Sequence, residues 1–129
     1  RLTDVTGVQT CALPIFLLKT FPWSPSWGEI NYFAYNLPTI EFHNELYGYL
    51  QEKNLAYRQQ DIENFISSKG IAKSKNWIRV NKDGTQQPET VTLMTYIRNH
   101  IHHPENSNNL QFTHDELKSS IESMLDLLK

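Results

Sequence analysis

Hydrophobic residues recur at helical spacing in four stretches of the chain after Leu37. The clearest stripe lies near the end of the sequence, with apolar positions at i, i+4, i+7, i+8 and i+11: Leu117, Ile121, Met124, Leu125 and Leu128. This spacing places them on one face of a helix. Weaker stripes predict helices over residues 37–54, 57–68 and 89–102, ahead of the last one over 113–128. The pattern therefore predicts an all-α fold, a compact bundle of about four helices.

Residues that favour helix ends mark the borders of these helices. Thr113 and Glu116 fit a capping box at the start of the last helix. Pro88 and Glu89 suit the first turn of the helix over residues 89–102. Pro104 ends that helix, because the residue before a proline is pushed out of the α region.

The stretch over residues 69–82 has a different character, because it is basic and contains no acid. Gly70 suits the end of the preceding helix. Residues 77–80 read as a short strand or an extended stretch, and residues 82–85, K-D-G-T, as a turn. The candidate RNA-binding residues here are four cations around one aromatic side chain: Lys73, Lys75, Trp77, Arg79 and Lys82. A solvated edge rich in lysine is the alternative interpretation.

The beginning of the chain divides into two parts. Residues 5–15, V-T-G-V-Q-T-C-A-L-P-I, resemble the translation of a sequencing adapter, which implies that residues 1–15 are an assembly artefact. Cys11, the only cysteine, then lies outside the evolved protein, which would begin near Phe16 as the end of a longer chain. Residues 16–36 are rich in aromatics and proline, which predicts an irregular segment docked on the helices rather than a base-stacking surface.

Composition narrows the function classes only slightly. The chain of 129 residues suits one domain, and its net charge of −2 gives no global attraction to nucleic acid. No apolar run approaches the ~18 residues that a membrane span needs, so we expect no membrane contact and a cytoplasmic protein. His43 lies on the first predicted helix, where we expect a partly exposed structural histidine.

Acid–base chemistry is concentrated in residues 96–106, Y-I-R-N-H-I-H-H-P-E-N. Arg98 and His102 share a helix face at i, i+4, and the bend before Pro104 could turn His103 towards Arg98 as well. Three interpretations compete. The histidines could bind a metal, although their spacing does not fit helical zinc ligands. They could interact with the helix dipole alone. Or an arginine and a histidine could act together on a phosphodiester.

Residues 98–103, R-N-H-I-H-H, resemble the signature of HEPN domains, an arginine followed by a polar residue and, after a gap, a histidine. Arg98, Asn99 and His103 match it, and His102 offers a second way to read its end. The following H-H-P-E-N and the capped last helix are similar to the C-terminal regions of bacterial defence proteins with this domain, including anticodon-nuclease-like ATPases.

This resemblance implies a helical domain over residues 37–129 that cleaves RNA, with tRNA as one target class, as a homodimer and without a metal or another cofactor. Arg98 would bind the scissile phosphate, and His103 would be the acid–base group with His102 as its partner or substitute. Asn99 would orient the histidine or the phosphate. An upstream ATPase domain is implied as well. The alternative function is a non-catalytic dimerisation or regulatory domain of a larger ATPase.

Overall fold

The computed structural model of the protein describes residues 17–129. The predictions for residues 1–15, including Cys11, and for Phe16 lie outside this range. The elements follow in chain order: a short helix α1 (Trp27–Glu29) that continues into a π-helical turn (Ile30–Ala34), α2 (Ile40–Lys53), α3 (Gln59–Ser68), β1 (Lys75–Val80), β2 (Gln86–Val91), α4 (Leu93–His102) and α5 (His114–Leu127).

The prediction of an all-α fold is wrong, because the segment between α3 and α4 forms an antiparallel β-hairpin. Strand β1 pairs with β2 so that Trp77 faces Glu89 and Ile78 faces Pro88. Aromatic and β-branched residues in β1 favour the extended chain. Pro88 is tolerated because each strand of a two-stranded sheet has a free edge. The turn predicted over residues 82–85 connects the strands, with Gly84 at a φ of 87°.

The start predicted for the third helix is also wrong, since Pro88 and Glu89 belong to β2 and α4 begins at Leu93. Thr92 caps α4, and its hydroxyl accepts a hydrogen bond from the backbone N–H of Thr95. The β-branched residues before Leu93 prefer extended backbone, which keeps this stretch in the strand. Pairing with β1 across the hairpin therefore outweighed the signals for a helix start.

The other helix borders agree with the sequence to within a few residues. Thr39 caps α2, and its hydroxyl accepts from the N–H of Phe42 at 3.1 Å. The capping box of Thr113 and Glu116 is confirmed at the start of α5. Gly70 follows α3 with a φ of 88°, the left-handed conformation that commonly ends a helix.

The core lies between α2, α4 and α5, with α3 closing one side. The predicted stripe of α5 is buried at Leu117, Ile121 and Met124. Further fully buried apolar residues of the core come from α2, α3 and α4: Phe42, Leu46, Leu50, Ile62, Ile66, Met94 and Ile97. His43 is also fully buried, so the expectation of partial exposure is wrong.

The aromatic segment before α2 is not irregular throughout as predicted, because α1 and the π-helical turn occupy residues 27–34. The segment docks on the core through its rings, of which Phe21 is buried. Phe21 is buried and meets Phe42 and Tyr49 edge-on, at centroid distances of 6.1 and 5.4 Å. Glu29 is buried and accepts hydrogen bonds from the backbone N–H groups of Thr20 and Ser26, which ties the segment to α1. Within residues 17–129, none of the helices is long and apolar enough to cross a membrane.

Candidate functional site

A cavity of about 620 Å³ opens between the end of α4, the β-hairpin and the loop that follows α4. Its cationic side chains are Arg79, Lys82 and Arg98. Its remaining polar lining comes from His103, Glu105 and a group of amides: Gln59, Asn81, Asn99, Asn106 and Asn108. The hairpin, of which the sequence predicted the turn and a short strand or extended stretch over residues 77–80 but not β2, therefore forms one wall of the cavity. The opposite wall carries the HEPN-like residues Arg98, Asn99 and His103.

Arg98 is half-buried on α4, and its guanidinium lies over a ring of α2. The guanidinium carbon is 5.5 Å from the centroid of the Tyr47 ring, a cation–π distance. Among residues 17–129, no side chain or backbone group forms a hydrogen bond or an ion pair with the guanidinium of Arg98. Its N–H donors are thus available to an anion in the cavity.

Asn99 is held by a chain of polar contacts. It is 3% exposed, and its Nδ2 donates to Gln59 Oε1 at 3.2 Å. Gln59 Nε2 in turn donates to Glu89 Oε1 at 3.4 Å. Glu89 Oε2 accepts from Arg79 Nε at 3.0 Å and lies 2.9 Å from its Nη2. Glu89 therefore balances much of the charge of Arg79. Asn99 Oδ1 takes no part in this chain of contacts.

His103 and His102 occupy different positions at the end of α4. His103 is the C-cap, turns out of the helix as predicted, and lines the cavity with Nδ1 3.3 Å from Glu105 Oε2. The Glu105 carboxylate can orient the ring and leaves Nε2 for a ligand. His102 is exposed and is not part of the cavity lining. Partial burial, followed by the positive charges of Arg98 and His103, lowers the pKa of His102.

His100 has a structural environment. Its Nε2 donates to the carbonyl oxygen of Leu110 at 2.7 Å. Its ring meets three aromatic rings edge-on, at centroid distances of 5.3 Å to Trp77, 5.0 Å to Tyr96 and 5.8 Å to Phe112. His100 therefore helps to dock the hairpin and the loop onto α4 and points away from the cavity chemistry.

The residues of the predicted RNA-binding strip separate into two groups. Arg79 and Lys82 line the cavity, whereas Lys73 and Lys75 do not. Lys75 lies over the Tyr96 ring at 5.0 Å, and its Nζ is 2.7 Å from a carboxylate oxygen of Glu116.

Trp77 also borders the cavity but is only 3% exposed, with its ring edge-on to Tyr96 at 5.7 Å. Its ring offers little face on which a base could stack. In this position, Trp77 mainly supports the cavity wall.

The loop after α4 is anchored to the free edge of β1 by asparagine side chains. Asn109 Oδ1 accepts from the N–H of Ile78 at 2.7 Å. The carbonyl of Ile78 accepts from Asn106 Nδ2 at 2.8 Å and from Asn109 Nδ2 at 3.1 Å. These contacts satisfy an unpaired strand edge and hold the loop that carries His103 and Glu105.

Sequence reasoning did not assign to the site the acid Glu105 or four of the cavity's amides, Gln59, Asn81, Asn106 and Asn108. Residues 105–112 are polar, but this composition contains no signal for the strand edge that the loop covers. Within residues 17–129, no group of three or more His, Cys, Asp or Glu side chains could hold a metal ion. Comparisons with protein-family models, curated proteins and solved structures returned no match.

Proposed function

We propose that the protein is a metal-independent endoribonuclease module in which Arg98 and His103 act on one phosphodiester of RNA. The observation that carries the proposal is that Arg98, Asn99 and His103 line one cavity together with Lys82. This cavity combines a guanidinium without partners among residues 17–129, a second cation and a histidine. The cations can stabilise charge on the phosphate, and the histidine is one of the two proton-transfer groups that metal-free phosphodiester cleavage uses.

In the proposed reaction, His103 takes the proton of a ribose 2′-hydroxyl, whose oxygen then attacks phosphorus. The bond from phosphorus to the 5′-oxygen breaks, and that oxygen receives a proton from a second acid–base group. Arg98 stabilises the charge on the phosphoryl oxygens, and Asn99 orients the phosphate or the histidine. Because one copy supplies a single cavity histidine, we propose that a second copy pairs with it about a two-fold axis and completes the acid–base pair.

The test is RNA cleavage by Arg98→Ala and His103→Ala, with tRNA and a single-stranded RNA as substrates. We expect each change to lower cleavage by about 100-fold or more, because a charge-stabilising or acid–base group contributes on that scale. Matched controls are Arg58→Ala and His114→Ala, which remove exposed residues outside the cavity. Cleavage should continue in EDTA. Full activity in both cavity variants would refute the proposal.

The role of the second copy has its own test. Arg98→Ala and His103→Ala protomers, each inactive alone, are mixed under conditions that allow exchange. A cleft that draws groups from both copies should regain part of its activity in mixed dimers. No recovery, with exchange confirmed by a mass-tagged copy, would contradict the shared cleft. The same series with His102→Ala decides which histidine acts, because the HEPN-like pattern can end at either position.

A second candidate is the non-catalytic dimerisation or regulatory domain of a larger ATPase. It is favoured by the large aromatic side chains exposed before α2, with Trp27 79% and Tyr35 72% exposed. This candidate predicts that Trp27→Ser and Tyr35→Ser weaken self-association, while the cavity variants change nothing. Cleavage that depends on Arg98 and His103 would rule it out as the sole function.

A further inference from the structure

We propose that Tyr47, anchored through Thr95 to the buried carboxylate of Glu63, is a positioning residue for Arg98. The proposal rests on the proposed function, because it takes Arg98 as the group that binds the phosphate. It concerns residues of three helices that do not line the cavity themselves. Their polar groups form one continuous chain that ends under the Arg98 guanidinium.

The chain begins at Glu63, an acid on α3 that is only 3% exposed. One carboxylate oxygen accepts from the backbone N–H of Thr92 at 2.8 Å. The other accepts from the hydroxyls of Thr92 and Thr95, at 2.5 and 2.6 Å. A buried carboxylate costs free energy unless several donors surround it. No ion pair to Glu63 exists among residues 17–129, so the carboxylate depends on these hydroxyl and backbone donors.

The direction of the hydrogen bonds follows from Glu63. The carboxylate can only accept, so the hydroxyl proton of Thr95 points towards it. Thr95 Oγ1 then has only lone pairs for Tyr47, whose hydroxyl lies 2.9 Å away. Tyr47 must therefore donate. Burial raises the pKa of Tyr47 to about 12, so the phenol keeps its proton at neutral pH.

This arrangement favours a cation on the Tyr47 ring. A phenol that donates into a chain ending at a carboxylate becomes richer in electrons, because neighbouring hydrogen bonds polarise one another. The face of such a ring attracts a guanidinium more strongly. Tyr47 is 1% exposed and cannot change its position without disturbing the core. The 5.5 Å contact therefore fixes a long side chain that would otherwise sample many rotamers.

The functional consequence is preorganisation. Arg98 has no partner among residues 17–129 that would hold its charged end, apart from this ring contact. A charge-stabilising group acts best when it is already in place before the reaction, and a displacement of about 1 Å can cost about 100-fold in rate. Tyr47 supplies the placement while it leaves the N–H donors of Arg98 free.

The first experiment needs no RNA. A guanidinium above an aromatic face shows upfield-shifted side-chain signals in NMR spectra, and Arg98→Lys assigns the Arg98 signals by their loss. We expect Tyr47→Leu to abolish the shift and Tyr47→Phe, which keeps the ring, to retain most of it. Tyr57→Leu, at an exposed tyrosine, is the matched control. Wild-type Arg98 signals in folded Tyr47→Leu would refute the positioning role.

Glu63→Gln tests this chain of hydrogen bonds with a side chain of nearly the same shape as glutamate. The glutamine amide can donate to Thr95, so the hydroxyl of Thr95 can turn towards Tyr47, which reverses the chain. We expect a smaller upfield shift for Arg98 and a several-fold lower kcat for cleavage, with KM less affected. If Tyr47→Leu does not fold, Glu63→Gln decides. Unchanged Arg98 signals and kcat in Glu63→Gln would then overturn the proposal.

These outcomes separate the two proposals. Wild-type protein that does not cleave RNA, but loses the Arg98 shift in Tyr47→Leu, would contradict the ribonuclease function and leave the placement of Arg98 supported. Cleavage that depends on Arg98 but is the same in folded Tyr47→Leu, Tyr47→Phe and Glu63→Gln would leave the ribonuclease function standing and overturn the positioning role.

Discussion

The buried histidine of α2 should make the stability of this fold depend on pH. His43 is fully buried, its Nε2 is 2.7 Å from Ser120 Oγ on α5, and its Nδ1 has no partner among residues 17–129. Burial lowers the pKa of His43 from 6.5 to about 3. The folded protein therefore keeps this ring neutral under conditions in which the unfolded chain binds a proton.

The sign and size of the effect follow from proton linkage. Because the folded pKa is below the unfolded value of 6.5, the stabilising contribution is complete above pH 6.5 and is lost as the pH falls towards 3. Each pH unit in this window costs about 1.4 kcal/mol of unfolding free energy. Between about pH 7.5 and about pH 5, the loss from His43 should be about 2 kcal/mol.

Urea unfolding across this pH range measures the effect. The comparison variant is His43→Gln, which does not titrate and keeps an amide near the position of Nε2. Its free energy of unfolding should change by about 2 kcal/mol less than that of the wild type over the same range. His114→Gln, which removes an exposed histidine, should behave like the wild type. Equal pH dependence in wild type and His43→Gln would refute the reasoning.

Three further changes test the packing and the cavity. Gly28→Ala should destabilise the fold by about 1–3 kcal/mol in urea unfolding, because the added Cβ would lie 2.8 Å from Phe42 Cβ, and a neutral effect would contradict the close packing. Asn109→Ala should lower the free energy of unfolding by about 1 kcal/mol, because the N–H of Ile78 loses its partner at 2.7 Å. Hydrogen exchange at this amide should become faster, and unchanged exchange would count against the anchored loop. Lys82→Ala should weaken RNA binding and lower the slope of log affinity against log salt concentration by about one. Fluorescence anisotropy at several salt concentrations measures this slope, and an unchanged slope would place the phosphates elsewhere.

The sequence contained most of the helical structure in its local pattern. The stripe of α5 and its capping box could be predicted because a helix satisfies its own backbone and marks its face every three to four residues. The HEPN-like residues were equally visible, since Arg98, Asn99 and His103 are close in sequence and lie on one helix end. That they would line one cavity remained an expectation until the bend at His103 was known.

Local pattern failed where the pairing of two strands decided the structure. The pairing of Trp77 with Glu89 placed the supposed helix start in a strand, although Pro88 and Glu89 favour a helix start locally. The same pairing created the edge that Asn109 covers and brought Lys82 to the cavity. The signals for a helix start lie at Pro88 and Glu89, whereas the strand that outweighs them lies on the other side of the turn, so a pattern read within residues 88–102 alone does not include it.

The sequence by itself determined which residues could do chemistry, and the tertiary structure decided which of them can act together. Side-chain type and spacing identified Arg98 and His103, because few side chains offer a lasting positive charge or a proton-transfer group. Burial and contact were decided by packing. Packing paired Arg98 with the ring of Tyr47 and enclosed His43 beside Ser120, because α2, α4 and α5 must close on a common core.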